Sequence, residues 1–245
     1  MVYRGHELHE TADDLQVQWP NHLSVEQGFG YWVWKPLILM HALRRIPYGE
    51  VALYVDAGCH LHTSSASRAR LIDYRDIAHT QDVFLMHLHG FPEVEWTKAS
   101  TFDELPLKPA QRSESQRLAT AFAVRNSARG REFLLEWFRL MSRNEFALVR
   151  DDAMLPHEYS LGLKQHRHDQ SVLSVLSKRW GIASIPDETY HFPDWQLTGN
   201  AFPIWALRYA SGTSPFPETV SEKPGHVYHL ARTRIEHNWA KITAR

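Results

Sequence analysis

Three strand-length apolar runs, at residues 51–55, 83–88 and 118–124, are separated by stretches long enough for helices. Runs that are apolar on every side suit strands covered on both faces. Strands alternating with helices argue for an α/β fold, a mainly parallel central sheet flanked by helices. In open sheets of that kind ligands bind at the carboxyl ends of the strands. Asp56 ends the first run, and His87 and His89 stand at the end of the second.

The helical stretches carry recognisable ends. Pro36 suits a first helical turn, apolar residues follow at 37–40, 43 and 46, and Pro47 and Gly49 stop the pattern. Residues 64–79 read as a polar helix with Leu71, Ile72 and Ile77 inward and with Arg68, Arg70 and Arg75 on a solvated face. Ser127 is a suitable N-cap for a helix to about residue 142, in which Phe133, Leu134, Trp137, Phe138 and Met141 share one face. His168 to Ser171 opens a further helix with Val172, Leu173, Val175, Leu176 and Trp180 buried, closed by Gly181. Residues 1–27 are polar and irregular, and the proline-rich C-terminal stretch is expected to be an irregular segment wrapping the sheet's edge. With no repeat and no linker, 1–245 reads as a single domain.

Lys plus Arg (27) nearly balances Asp plus Glu (28), so no field of one sign would draw nucleic acid or an anionic membrane to the whole surface. Cys59 is the only cysteine, which rules out an intramolecular disulfide and a cysteine-based zinc site and favours a reducing compartment. The longest apolar stretch, 36–43, falls far short of the ~20 residues that span a bilayer. The charged N-terminus, with Arg4, Glu7, Glu10, Asp13 and Asp14, lacks the apolar core of a signal peptide. The expectation is a soluble cytoplasmic protein.

Several groups could carry chemistry. Asp56, followed by Ala57 and Gly58, could bring a carboxylate to a divalent cation on a diphosphate, Gly58 allowing close backbone approach; equally, it could begin a turn. Asp169, beside Gln170 and preceded by His166, Arg167 and His168, could face a cleft or simply cap its helix. Trp96 and Lys98 offer an aromatic platform and a cation for a leaving diphosphate, or a helix-entry turn with Thr97 as N-cap. Tyr31, Trp32, Trp34 and Lys35 form a second aromatic and basic cluster, whose alternative role is core filling. His60, His62, His87 and His89 could meet at a zinc ion, though a chain with 16 histidines contains such pairs by chance.

The blocks GFGYWVWKP (28–36), ALYVDAGC (52–59), EWTKASTF (95–102), EFLLEWFRL (132–140), QHRHDQSVLSVLSKRWGI (165–182) and FPIWALR (202–208) occur in an order that resembles a family of bacterial and viral GT-A-type glycosyltransferases. The resemblance implies a GT-A-like nucleotide-diphospho-sugar transferase fold. It implies transfer of a hexose from a nucleotide-sugar donor to a glycan or lipid-linked acceptor in surface polysaccharide synthesis. A lipid-linked acceptor would bring peripheral membrane association with it. Asp56 would take the place of the first carboxylate of the DxD motif and bind a divalent cation, Mn or Mg. Gly58 stands where the second carboxylate belongs, which puts tight metal binding in doubt. Trp34, Lys35, Gly58, Trp96, Lys98 and His168 would bind the donor, and Asp169 and Gln170 would be catalytic. Asp169 or Gln170 would lie beneath the anomeric carbon of a retaining enzyme; alternatively Asp169 would be the general base of an inverting one. The short polar segment before GFGYW lacks the first strand expected of such folds. That departure, with the missing carboxylate, leaves a second reading open: a catalytically degenerate member of the fold that only binds a glycan or a partner.

Overall fold

The computed structural model describes residues 22, 25–151, 162–190 and 198–206. Most of segment 1–27, the loop with Asp152, Pro156 and His157, and most of the C-terminal stretch lie outside the described residues. The chain runs α1 (Gly28–Tyr31), α2 (Lys35–Arg44), β1 (Val51–Val55), β2 (His60–Leu61), α3 (Ser65–Gln81), β3 (Val83–Phe84), β4 (Met86–Pro92), α4 (Glu93–Trp96), α5 (Ala99–Glu104) and α6 (Pro109–Arg112). It continues through β5 (Ser115–Arg117), β6 (Ala121–Arg125), α7 (Ala128–Phe146), α8 (His168–Arg179), β7 (Ile185–Pro186), a 3-10 turn at Gly199–Ala201 and β8 (Ile204–Trp205).

The fold is mixed α/β, but its sheets are mostly antiparallel, which corrects the expectation of a mainly parallel one. One sheet has the order β1-β6-β3 and is antiparallel throughout. A second has the order β5-β4-β7, in which only β4 and β7 run parallel. Only Leu85 separates β3 from β4, and only residues 118–120 separate β5 from β6, so the two sheets lead into one another. An apolar run records burial on both faces and says nothing about the direction of its neighbour. Here the short helices α4 to α6 return the chain beside β4 instead of carrying it across the sheet. A second correction concerns β1. It was expected to be covered on both faces, yet it pairs only with β6 among the described residues, and Leu53 at its middle is 39% exposed.

Period-two alternation divides the sheet between two cores. Val83, Leu85, Phe122 and Val124 pack with Leu39 and Leu43 of α2, Phe133 and Trp137 of α7, and Val172 and Leu176 of α8. Phe84, Met86, Ala121 and Ala123 pack against Tyr74, Ile77 and Ala78 of α3. Trp137 is fully buried and meets the Phe122 ring edge-on at 5.7 Å; truncating such a side chain costs about 3–5 kcal/mol.

The expected helix ends are present. Ser64 Oγ accepts from the Ser67 N–H at 3.1 Å, and Ser127 Oγ accepts from the Gly130 N–H at 2.9 Å. Helix α8 closes at Gly181, whose φ of 67° lets the Ile182 N–H reach back to the Ser177 carbonyl at 3.0 Å. Three local readings change. Ile72 is 50% exposed while Tyr74 is buried in its stead. Arg70, placed on a solvated face, is 4% exposed because Glu188 receives its guanidinium through two hydrogen bonds of 2.8 and 2.7 Å. Thr97 does not cap α5; Lys98 holds the cap position, and Thr97 Oγ1 donates to Glu93 Oε2 at 2.7 Å. No helix among the described residues is long and apolar enough to cross a membrane.

Candidate functional site

The glycines of GFGYW allow an unusual turn. Residues 28–32 have φ of 61, 52, 79, 56 and 61°, five consecutive residues in the left-handed region. The Tyr31 N–H donates to the Gln27 carbonyl at 2.8 Å and the Trp32 N–H to the Gly28 carbonyl at 3.0 Å, so α1 is one turn of opposite hand to an ordinary helix. Each residue with a Cβ in that conformation costs roughly 1–2 kcal/mol, and Phe29, Tyr31 and Trp32 all carry one. Space is as limiting as dihedral angle. A Cβ on Gly28 would lie 2.3 Å from the Trp32 ring, and one on Gly30 would lie 2.8 Å from the His22 ring. Surrounding contacts hold the turn. The Trp34 indole N–H donates to the Gly28 carbonyl at 2.9 Å, His22 stacks on Phe146 at 3.5 Å, and the Tyr31 and Trp32 rings lie 4.9 and 5.8 Å from His168.

The turn delivers Lys35, the first residue of α2, to the carboxyl end of β1. There its ammonium lies 3.2 Å from Asp56 Oδ1 and 3.0 Å from Asp169 Oδ2, and it donates to the Ala119 carbonyl at 3.1 Å. The Trp32 and Tyr54 rings lie 5.7 and 5.3 Å from the same nitrogen. The Tyr54 hydroxyl donates to Asp56 Oδ1 at 2.7 Å. Lys35 and Asp169 are buried, with side chains 3% and 5% exposed, whereas Asp56 retains 27%. Asp169 sits in the first turn of α8, where the helix dipole favours a negative charge, and Arg167 holds the cap position.

Burial and charge set the protonation of this centre. Burial alone would make Lys35 easier to deprotonate, but the two carboxylates outweigh it and hold its pKa above the ordinary lysine range. Burial, helped by the Asp56 carboxylate, lifts Asp169 above the ordinary carboxyl range against the opposing pull of Lys35. Burial and then Asp56 hold the Tyr54 phenol well above its usual range, so it stays a donor.

The other expected residues have different surroundings. Gln170 donates to Gln116 Oε1 at 2.6 Å and accepts from the Ala119 N–H at 3.3 Å, so it fixes the loop whose carbonyl takes Lys35. His168 Nδ1 faces the Val149 carbonyl at 2.8 Å, which places its proton there and leaves Nε2 to accept from Gln27 at 2.7 Å. Gly58 lies exposed in a turn closed by the Cys59 N–H on the Asp56 carbonyl at 3.0 Å, and its φ is not left-handed. Lys98 is fully buried, donating to the Ala147 carbonyl and, at 3.0 Å, to that of Arg150. Trp96 is half-buried, with Phe91 4.8 Å from its ring and the Arg167 guanidinium also at 4.8 Å. Lys98 and Trp96 are thus not brought to Asp56. Nor do the histidines converge: His87 Nδ1 meets Ser184 Oγ at 3.0 Å, while His60 and His62 pack on Trp205.

Two contributors were missed. Tyr54 could have been found, because strand alternation puts it on the same face as Asp56 two residues on. Ala119 gave no signal, since its backbone carbonyl does the work.

The divalent cation implied by the resemblance does not fit beside Lys35. The oxygens that a hard cation would take from Asp56 and Asp169 already face an ammonium. Among the described residues no group of three or more His, Cys, Asp and Glu side chains comes together. Fold and site therefore define a mixed α/β protein with a carboxylate–lysine–carboxylate centre. Comparison with family models, with curated proteins and with solved structures gave no match to this chain.

Proposed function

We propose that this protein is a glycosyltransferase of GT-A type, moving a sugar from a nucleotide-sugar donor to a hydroxyl of a glycan or lipid-linked acceptor. One observation carries the reading. The three most specific blocks of the sequence, GYWVWKP, DAGC and HRHDQS, are distant in the chain, yet Lys35, Asp56 and Asp169 from these blocks meet at one nitrogen atom. Asp56 is the carboxylate of the centre that retains solvent exposure, and it accepts a hydrogen bond from the Tyr54 hydroxyl. A carboxylate open to solvent suits a sugar, whose hydroxyls donate to it.

In this reading Asp56 accepts the proton of the acceptor hydroxyl. The acceptor oxygen forms its bond to the anomeric carbon as the bond to the diphosphate breaks, and the nucleoside diphosphate leaves with the electron pair. Lys35 and Asp169 position Asp56, and Gln170 positions the 118–120 loop. The burial of Asp169 and Gln170, 4% and 7% exposed, also favours a second reading in which the protein binds a glycan without turning it over.

Incubation with a panel of nucleotide sugars and glycan acceptors, followed by chromatography for released nucleoside diphosphate, separates the two. Asp56→Asn should abolish release and leave the circular dichroism spectrum unchanged. Glycan binding without release from any donor would leave only the second reading.

A further inference from the structure

We infer that this centre carries its own cation, the Lys35 ammonium, and takes its ligand without a divalent metal. The choice of ligand rests on the glycosyltransferase reading; the metal half rests on geometry alone.

Magnesium, manganese and calcium are held by carboxylate and carbonyl oxygens. Around Lys35 Nζ stand three such oxygens, Asp56 Oδ1 at 3.2 Å, Asp169 Oδ2 at 3.0 Å and the Ala119 carbonyl at 3.1 Å. The ammonium donates to the carbonyl and pairs with the two carboxylates. Trp32 and Tyr54 present ring faces to the same charge. The cradle is therefore that of a cation, and the protein fills it with a side chain. A metal ion approaching Asp56 would share its carboxylate with a positive charge already 3.2 Å away, and Gly58 offers no second carboxylate to offset the repulsion.

Nor can the lysine readily step aside. It is rooted in the first turn of α2, before a buried Pro36, and its side chain is 3% exposed. Its departure would leave Asp169 Oδ2 without its counter-charge, and no hydrogen-bond donor among the described residues meets that oxygen in its place. The converse follows. Replacing Lys35 by an uncharged side chain leaves two carboxylates and a carbonyl around a space of cation size, so Lys35→Met should turn a metal-indifferent centre into a metal site.

Isothermal titration of the full chain tests this. Manganese chloride is titrated into wild type and into Lys35→Met. Uridine, guanosine, adenosine and thymidine diphosphates are titrated into wild type, each in EDTA and in excess manganese. The expected result is no stoichiometric manganese binding to wild type, and one nucleotide whose affinity agrees within about twofold between the two conditions. Lys35→Met should gain manganese affinity by about tenfold or more, since affinity follows the uncompensated charge of the ligands. Stoichiometric manganese binding by wild type, or nucleotide binding only when manganese is present, overturns the inference and leaves the glycosyltransferase reading standing. No nucleotide binding in either condition overturns that reading and the nucleotide half of the inference, and the manganese titrations then judge the metal half by themselves. Should Lys35→Met fail to fold, the wild-type titrations decide the matter by themselves.

Discussion

Lys35→Met should also expose how strongly the centre is held together. The substitution removes an ammonium from a side chain 3% exposed and leaves Asp169, 5% exposed, without its counter-charge. Breaking a buried pair from one side costs about 3–5 kcal/mol, because the remaining charge is left in a poor solvent. The link to Asp56 adds little, on the order of 0–1 kcal/mol, since water reaches that carboxylate. A loss of about 4 kcal/mol near neutral pH is therefore expected, a large part of the roughly 5–15 kcal/mol that keeps a domain folded. The loss must depend on pH. Asp169 is already raised above the ordinary carboxyl range by burial, and Lys35 is the principal influence against that rise. In the variant the carboxyl rises further and prefers to be protonated when folded, whereas in the unfolded chain it has ionised above its ordinary 3.8. The folded state then binds the extra proton, so stability is greatest below the unfolded pKa and is lost as pH rises through the folded one. The slope in that window approaches about 1.4 kcal/mol per pH unit. Urea unfolding followed by circular dichroism, at about pH 5 and about pH 8, measures it. Asp169→Asn added to Lys35→Met should recover about 2 kcal/mol or more at the higher pH, because no bare charge remains. A loss below about 1 kcal/mol, or the same loss at both pH values, would refute the account of the centre as a buried ion pair.

Other substitutions probe the surroundings. Gly28→Ala combines a left-handed backbone with a Cβ 2.3 Å from the Trp32 ring, whereas Gly181→Ala meets only the backbone cost because nothing lies within 4 Å. Thermal or urea unfolding should show a loss of about 1 kcal/mol at Gly181 and at least about 2 kcal/mol more at Gly28. His87 is held down to about 4 by burial, with Arg117 and Lys178 adding to it. The unfolded imidazole takes up a proton from about pH 6.5 downward while the folded one does not, so stability falls as pH drops from 6.5 towards 4. His87→Gln should flatten that part of the stability profile by up to about 3 kcal/mol, read from urea midpoints across the range. Glu93→Gln removes the charge that pairs with Lys178 at 2.9 Å inside the molecule, both side chains being at most 1% exposed, and should cost about 3–5 kcal/mol by the same measurement.

What was legible in the sequence divides along physical lines. Helices declare themselves locally, through a serine whose oxygen meets a backbone N–H three residues on, or through a glycine that can turn left-handed, and Ser64, Ser127 and Gly181 do this. The apolar run at 51–55 marks β1, that at 83–88 covers β3 and the start of β4, and that at 118–124 meets β6 only from Ala121; strand direction depends on which neighbour a run meets, and no residue encodes that locally. Buried charges were hidden for the same reason. Arg70 and Lys178 look like solvated residues until Glu188 and Glu93 are seen to meet them. Within the candidate site, Asp56, Lys35 and Asp169 were each visible as polar residues beside apolar ones, but their meeting was not, because it requires α2, β1 and α8 to be assembled first.

The mirror-handed winding at 28–32 bears on the order of assembly. Free chain made of L-residues has no reason to coil that way by itself, so the segment needs a mould, and the mould is built from His168 and Phe146, more than a hundred residues downstream. A ribosome exposes the segment long before it supplies either ring. The region that delivers Lys35 to its carboxylates therefore draws part of its support from residues made long after it.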